Sequence, residues 1–241
     1  MNIISIHQQI SLPLVHWFEI HQRNLPWRGE YSPYSVWISE IMLQQTQVDR
    51  VVPYYLRWMQ QFPNVESIVR ASYQELLKVW EGMGYYSRVK YIYKTAQIIQ
   101  EDYRGEFPKN HTDLLHLPGI GPYTAGAIMS IAYNQSFPVV DGNIARVLSR
   151  IFNIKSSVKK SETNRFIWKK AEELILPGRA RWVNQAFMDL GALICTPKKP
   201  ICRDCPVQKT CHSFQLGCVE RRPVLPPSKK TEHINVVVGV L

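Results

Sequence analysis

No stretch of this sequence reaches eighteen apolar residues, so it offers no membrane-spanning helix. The opening stretch MNIISIHQQISLPLVHWF has neither a basic segment nor a small-residue cleavage site, and no secretory leader is expected from it. The chain is therefore read as intracellular, and the Asn-x-Ser/Thr matches at Asn110 and Asn134 carry no glycosylation meaning. Acidic residues are scarce: 19 Asp and Glu face 29 Lys and Arg, a net charge of +10 spread along the chain rather than gathered in a tail. Such a surface selects polyanions, nucleic acid first. Cysteine is scarce too, and four of the five cysteines crowd into residues 195 to 211, which in an intracellular chain points to a metal rather than to disulfides.

Alternating strand patterns are missing until the last residues. Elsewhere the apolar spacing is helical: SVWISEIMLQQTQVDRVVPYYLRWM places Trp37, Ile41, Val48 and Val52 near one face, and TDLLHLP, TAGAIMSIAY and NIARVLSRIF repeat the habit. Prolines at 63, 108, 118, 138 and 177 punctuate short helices joined by tight turns. From Arg221 the texture becomes that of a linker, RRPVLPPSKKTEH, running into INVVVGVL, one β-strand in appearance. A lone strand is not stable by itself, so residues 221–241 are expected to open a second domain that is truncated here, or to dock a strand on the helical body.

CTPKKPICRDCPVQKTC has the form C-x6-C-x2-C-x5-C, with Cys195, Cys202, Cys205 and Cys211 as candidate ligands. A 4Fe-4S cluster and a structural zinc ion both accept four thiolates; structural zinc usually shows two paired knuckles, and only Cys202 and Cys205 form one, which favours the cluster. With all four positions taken by protein, either metal would be structural. Cys218 stands outside the pattern as an ordinary thiol. Lys198, Lys199, Arg203 and Lys209 stud the loops between ligands, a positive surface suited to phosphates or simply solvated loop charge.

In LPGIGPYTAGAI, Gly119 and Gly121 flank Ile120 just ahead of a helix expected to start near Tyr123. Two glycines there allow positive φ and leave backbone N–H groups free to grip phosphate oxygens, so the segment reads as a helix-hairpin-helix turn. Two carboxylates occupy unlike settings. Glu40 is flanked by Trp37, Ile41 and Leu43, where desolvation would raise its pKa and make it a proton donor. Asp141 precedes the helix expected near Ile144, where a cap is its commonplace role and the helix N-terminus favours a charged carboxylate. An acid kept neutral beside a partner kept ionised is what cleavage of a glycosidic bond requires.

Over residues 8 to 215 the chain resembles the helix-hairpin-helix DNA glycosylases that carry an iron–sulfur cluster, and among them the MutY-type adenine DNA glycosylases. The resemblance rests, in order, on LPWRGEYSPYSVWISEIMLQQTQV, WEGMGYYSR, LPGIGPYTAGAI, PVVDGNIARVLSR, NQAFMDLGALIC and the cysteine spacing. It implies an all-α, two-lobed glycosylase fold: a catalytic domain over residues 1–220, with a six-helix barrel lobe at 28–138 and a cluster lobe made of 1–27 and 139–215. It also implies double-stranded DNA with adenine mispairs as partner, a monomeric state, and an intracellular, nucleoid-associated location.

Carried onto matching positions, the resemblance makes Glu40 the acid that protonates N7 of a flipped-out adenine. It makes Asp141 the stabiliser of the positive sugar, with Asn143 and Tyr123 completing the site. Arg28, Leu43 and Gln185 would surround the base, with Trp27 nearby, while Gln44, Met83 and Tyr85 would fill the gap left in the duplex. Strand-cleaving relatives of the endonuclease III type carry an amine at the position of Tyr123, and a tyrosine cannot form a Schiff base, which implies base removal without strand cleavage. Typical relatives continue into a Nudix-like domain that recognises 8-oxoguanine; with only its first strand here, weaker discrimination between 8-oxoguanine and guanine is expected. Two other readings keep most of these features: a thymine or uracil mismatch glycosylase, against which Glu40 argues, and a non-catalytic cluster-bearing DNA-binding module. The module leaves two carboxylates unexplained in a protein that must approach phosphate.

Overall fold

The structure, a computed structural model, describes residues 5–226. Most of the linker from Arg221 and the strand expected in INVVVGVL lie outside them. Among the described residues the regular structure is helical, apart from an isolated parallel bridge between Ser157 and Val224. No helix among them is long and apolar enough to cross a membrane.

Two hydrophobic cores divide the chain. The first is built by α2 (Pro33–Leu43), α3 (Val48–Gln61), α4 (Val65–Arg70), α5 (Tyr73–Trp80), α6 (Ser87–Tyr103), α7 (His111–His116) and α8 (Pro122–Ala127). Trp37, Trp58 and Trp80 are fully buried in it, with Trp58 edge-on to Trp80 at 5.7 Å between ring centroids. Leu25 and Trp27 also pack into this first core. The second core gathers α1 (Leu12–His21), α9 (Gly142–Ile151), α10 (Ser161–Glu173) and α11 (Ala180–Asp189), so the N-terminal helix packs against chain that follows it by more than a hundred residues. Met188 touches both cores, which places α11 along the seam.

Local sequence explains where the helices begin. Ser32 accepts the Ser35 N–H at 3.1 Å ahead of Pro33, and Asn64 and Ser72 form capping boxes with Ser67 and Glu75. The helical pattern from Ser35 to Met59 does not run through as one face. It breaks at Gln44–Gln47, where Gln45 adopts φ 56°. The cause comes from elsewhere in the chain: the buried Arg88 guanidinium donates to the carbonyls of Ile41 (3.2 Å), Met42 (2.7 Å) and Gln44 (2.8 Å), capping the end of α2. The same side chain donates to Met83 and Gly84 at 3.5 and 3.1 Å, so one arginine ties two loops together.

The hairpin between α7 and α8 is present, with a correction. Gly119 has φ +76°, and a Cβ there would lie 2.7 Å from Tyr91 Cβ; Gly121 is extended at φ −93° with open space around it and caps α8. Positive φ is therefore the task of Gly119 alone. Thr95 Oγ1 donates to the Pro118 carbonyl at 2.7 Å, pinning the turn on α6.

Candidate active site

Between the two cores opens a cleft of about 510 Å³. Its wall carries Arg23, Trp27, Arg28, Glu40, Leu43, Gln44, Tyr123, Asp141, Asn143, Gln185 and Met188. The sequence-expected base-side residues Arg28, Leu43 and Gln185 and the four expected catalytic residues thus share one cavity.

Glu40 projects from α2, a helix whose residues from Tyr34 to Met42 are all buried, and is itself only 7% exposed. Burial pushes its carboxyl up to about 7; a hydrogen bond from Tyr123 and the charge of Arg28 oppose the rise, and the nearby Asp141 adds to it. A carboxyl raised into that range is able to carry a proton near neutral pH, which a general acid requires. Tyr123, on the first turn of α8, has its phenol raised well above the usual value by burial and by the two carboxylates, so it stays a neutral donor.

Asp141 caps α9: its Oδ1 accepts the Ile144 N–H at 2.7 Å, while Oδ2 accepts from Asn143 Nδ2 at 2.9 Å. Capping and a place in the cleft are one arrangement, because the cap fixes the carboxylate at the lobe boundary. Asn143 is fixed in turn by Arg146, which donates to Asn143 Oδ1 at 2.9 Å, to the Gly191 carbonyl at 2.7 Å and to the Cys195 carbonyl at 2.9 Å. A hydrogen-bonded path thus runs from the first cysteine to Asp141.

Gly191 lies in a π-helical turn, Leu190–Ile194, between α11 and Cys195. A Cβ there would stand 2.7 Å from Asn143 Cβ and 3.3 Å from its Cα. Gly191→Ala is therefore expected to cost about 1–3 kcal/mol by overpacking, whereas Gly121→Ala, in open space, should cost only the poorer cap, about 0.5–1 kcal/mol. Urea unfolding of the two variants checks the difference.

Cys195, Cys202, Cys205 and Cys211 line a second, small pocket. No three ligand-type side chains among the described residues close onto one point as a single metal ion requires. The four thiols around one pocket are a donor set that a 4Fe-4S cluster or a zinc ion could take. The chemistry around them agrees. Arg150, almost fully buried and without a carboxylate partner among the described residues, donates to Cys195 Sγ at 3.2 Å and to the carbonyls of Cys195 and Thr196 at 3.1 and 2.7 Å. Four thiolates would supply the negative charge this guanidinium lacks. Burial pushes the Cys205 thiol up to about 12, with the other cysteines adding to the rise, so deprotonation there would need a metal.

The remaining expected residues scatter. Met83, expected at the duplex gap, is 2% exposed and packs in the first core, while Tyr85, at φ 49°, is 55% exposed. Lys198 and Lys199 are exposed on the cysteine loop, and Gly119 and Gly121 lie outside the cleft. Sequence reasoning missed Arg23, Arg146, Arg150 and Asp189. Asp189 carries the signal that singled out Glu40, a carboxylate among apolar neighbours in AFMDLGALI.

Residues 38–173 match the family described as HhH-GPD superfamily base excision DNA repair protein. An adenine DNA glycosylase of Rattus norvegicus is 42% identical over 229 residues, covering 91% of this chain and 44% of its own length. One of Buchnera aphidicola subsp. Baizongia pistaciae is 39% identical, covering 90% and 63%. The human one is 42% identical, covering 84% and 39%. The chain thus spans about two to three fifths of these relatives. Among solved structures, a thermostable thymine-DNA glycosylase is 29% identical with TM-score 0.79, covering 86% of this chain and 95% of that one. Endonuclease III bound to DNA, at 20% identity and TM-score 0.72 over 89% and 99%, shares the fold.

Proposed function

The chain belongs to the HhH-GPD superfamily of base excision DNA repair proteins, and we propose that within it this protein is a monofunctional adenine DNA glycosylase acting on adenine opposite 8-oxoguanine or guanine. The observation that carries the reading is the buried Glu40 sharing one cleft with Tyr123, Asp141 and Asn143.

A cleft of about 510 Å³ accommodates one extruded base, which the duplex cannot expose while stacked. Glu40 donates its proton to N7, so the electrons of the breaking N9–C1′ bond leave on a neutral base. Asp141 faces the positive sugar and takes the proton of the water that bonds to C1′. Asn143 holds the Asp141 carboxylate and Tyr123 holds the Glu40 carboxyl. Arg28, Leu43 and Gln185 bound the base, with Gln44 and the exposed Tyr85 on the duplex side. The hairpin at Gly119 and the basic loops at Lys198 and Lys199 grip phosphates. Cys195, Cys202, Cys205 and Cys211 would hold a 4Fe-4S cluster, which would stiffen that lobe, and Arg150 beside Cys195 Sγ would balance its charge.

The likeness to a thymine-DNA glycosylase favours a second reading, in which the same fold accepts thymine. Thymine has no N7 to protonate, so a buried acid poised near 7 has no evident task there.

Single-turnover assays on duplexes with adenine opposite 8-oxoguanine, guanine and thymine, analysed with and without alkali, decide between them. Breaks that appear only after alkali, at adenine opposite 8-oxoguanine or guanine, are expected. Breaks without alkali would contradict the assignment of Tyr123, and processing of a mispaired thymine instead would favour the second reading.

A further inference from the structure

Two arginines, Arg23 and Arg28, line a cleft whose proposed reaction gathers positive charge on both base and sugar. Left bare, they would oppose that chemistry. The residue that answers them is Asp189, the last residue of α11, whose side chain is entirely buried. Its Oδ2 accepts from Arg28 at 2.6 Å and from the Arg23 backbone N–H at 3.1 Å. Its Oδ1 accepts from Arg28 at 2.9 Å and from Arg23 Nε at 2.7 Å. Arg28 also donates to the Arg23 carbonyl at 3.1 Å and lies over the Phe18 ring at 5.3 Å, so its guanidinium has one orientation.

We propose that Asp189 is a positioning residue of the active site: by clamping both arginines it fixes Arg28 as an oriented hydrogen-bond donor on the cleft wall and cancels charge that would otherwise hold Glu40 ionised. The effect on rate rests on the adenine-hydrolysis reading; the effect on Glu40 does not. Although burial alone would raise the Asp189 carboxyl, the hydrogen bonds and charge of Arg28, with those of Arg23, bring it below its ordinary value, so it remains an anion. The groups that act on Glu40 are Tyr123 from α8, Asp141 ahead of α9, and Arg28. Arg23 and Asp189 are not among these groups, and Arg28 bonds to both.

Asp189→Asn leaves two cations against one fewer anion, which favours ionised Glu40 and lowers its proton affinity. Arg23→Met removes a cation and raises it. The probe is the free protein labelled with ¹³C-glutamate, the Glu40 carboxyl being assigned by its loss in Glu40→Gln. Asp189→Asn is expected to lower the Glu40 midpoint by about one pH unit, and Arg23→Met to raise it. The alkaline limb of the single-turnover profile should move the same way, with base release by Asp189→Asn at pH 8 down about ten-fold if the midpoint falls by that much. An unmoved midpoint in both variants, or a rate loss uniform across pH, overturns the proposal. If Asp189→Asn does not fold, Arg23→Met carries the test. Midpoints that move as expected in a protein that releases no adenine would overturn the substrate reading and leave the clamp standing.

Discussion

Glu40→Gln slows adenine release by roughly 10³-fold, the scale of a lost general acid, while affinity for the mispaired duplex stays within about two-fold. The expectation follows from its burial. A carboxyl with a midpoint of about 7 is neutral in a large fraction of molecules at neutral pH, and an amide of the same shape leaves the packing around α2 unchanged. What it cannot do is give up a proton. The wild-type rate should fall about ten-fold per pH unit above the Glu40 midpoint, because only protonated Glu40 donates, and the residual rate of the variant should be flat there. Single-turnover rates across pH, beside an equilibrium binding titration, check both halves. A variant that keeps the pH limb would assign the acid to another group.

Asp141→Asn is expected to reduce release by roughly 10²–10³-fold, as when a preorganised electrostatic contact to a transition state is removed. Asn caps helices about as well as Asp, so the bond to the Ile144 N–H has a replacement and stability should fall by no more than about 1 kcal/mol. The bond from Asn143 does not survive equally, since the new amide must turn its oxygen to one partner and its NH₂ to the other. Measuring rate and urea midpoint on the same preparation separates the two roles. Loss of rate with stability kept identifies the charge as the working part; loss of both in proportion would make Asp141 a cap and little else.

Much of this was legible in the residues. Glu40 among apolar neighbours, Asp141 ahead of a helix, and Gly119 in its turn each carry a local signal that the fold turns into position. The break at Gln44–Gln47 was not legible, because its cause is a guanidinium more than forty residues later that no local pattern predicts. Met83 shows the complementary difficulty: a methionine beside two glycines can face a duplex or a core, and only the packed neighbours decide that it is buried. Arg146 and Arg150 sit in a helix where arginine looks like solvated surface, and their meaning comes from the carbonyls and thiol that the cysteine loop brings to them. Long-range polar partners are what sequence periodicity leaves out.

The division of the cleft between two cores bears on how the protein is made. During synthesis the stretch that carries Glu40 and Tyr123 leaves the ribosome before α9, α10 and α11, and apart from Met188, which packs against it, its core draws on residues no later than Val139. Asp141 follows just behind, but the helix it caps packs against α10, α11 and the turn Leu190–Ile194, so its burial waits until the chain has reached those residues. Until then a nascent chain has Glu40 and Tyr123 in place without a packed Asp141 opposite them. On the proposed reading, both halves of the site stand together only once the second core has packed.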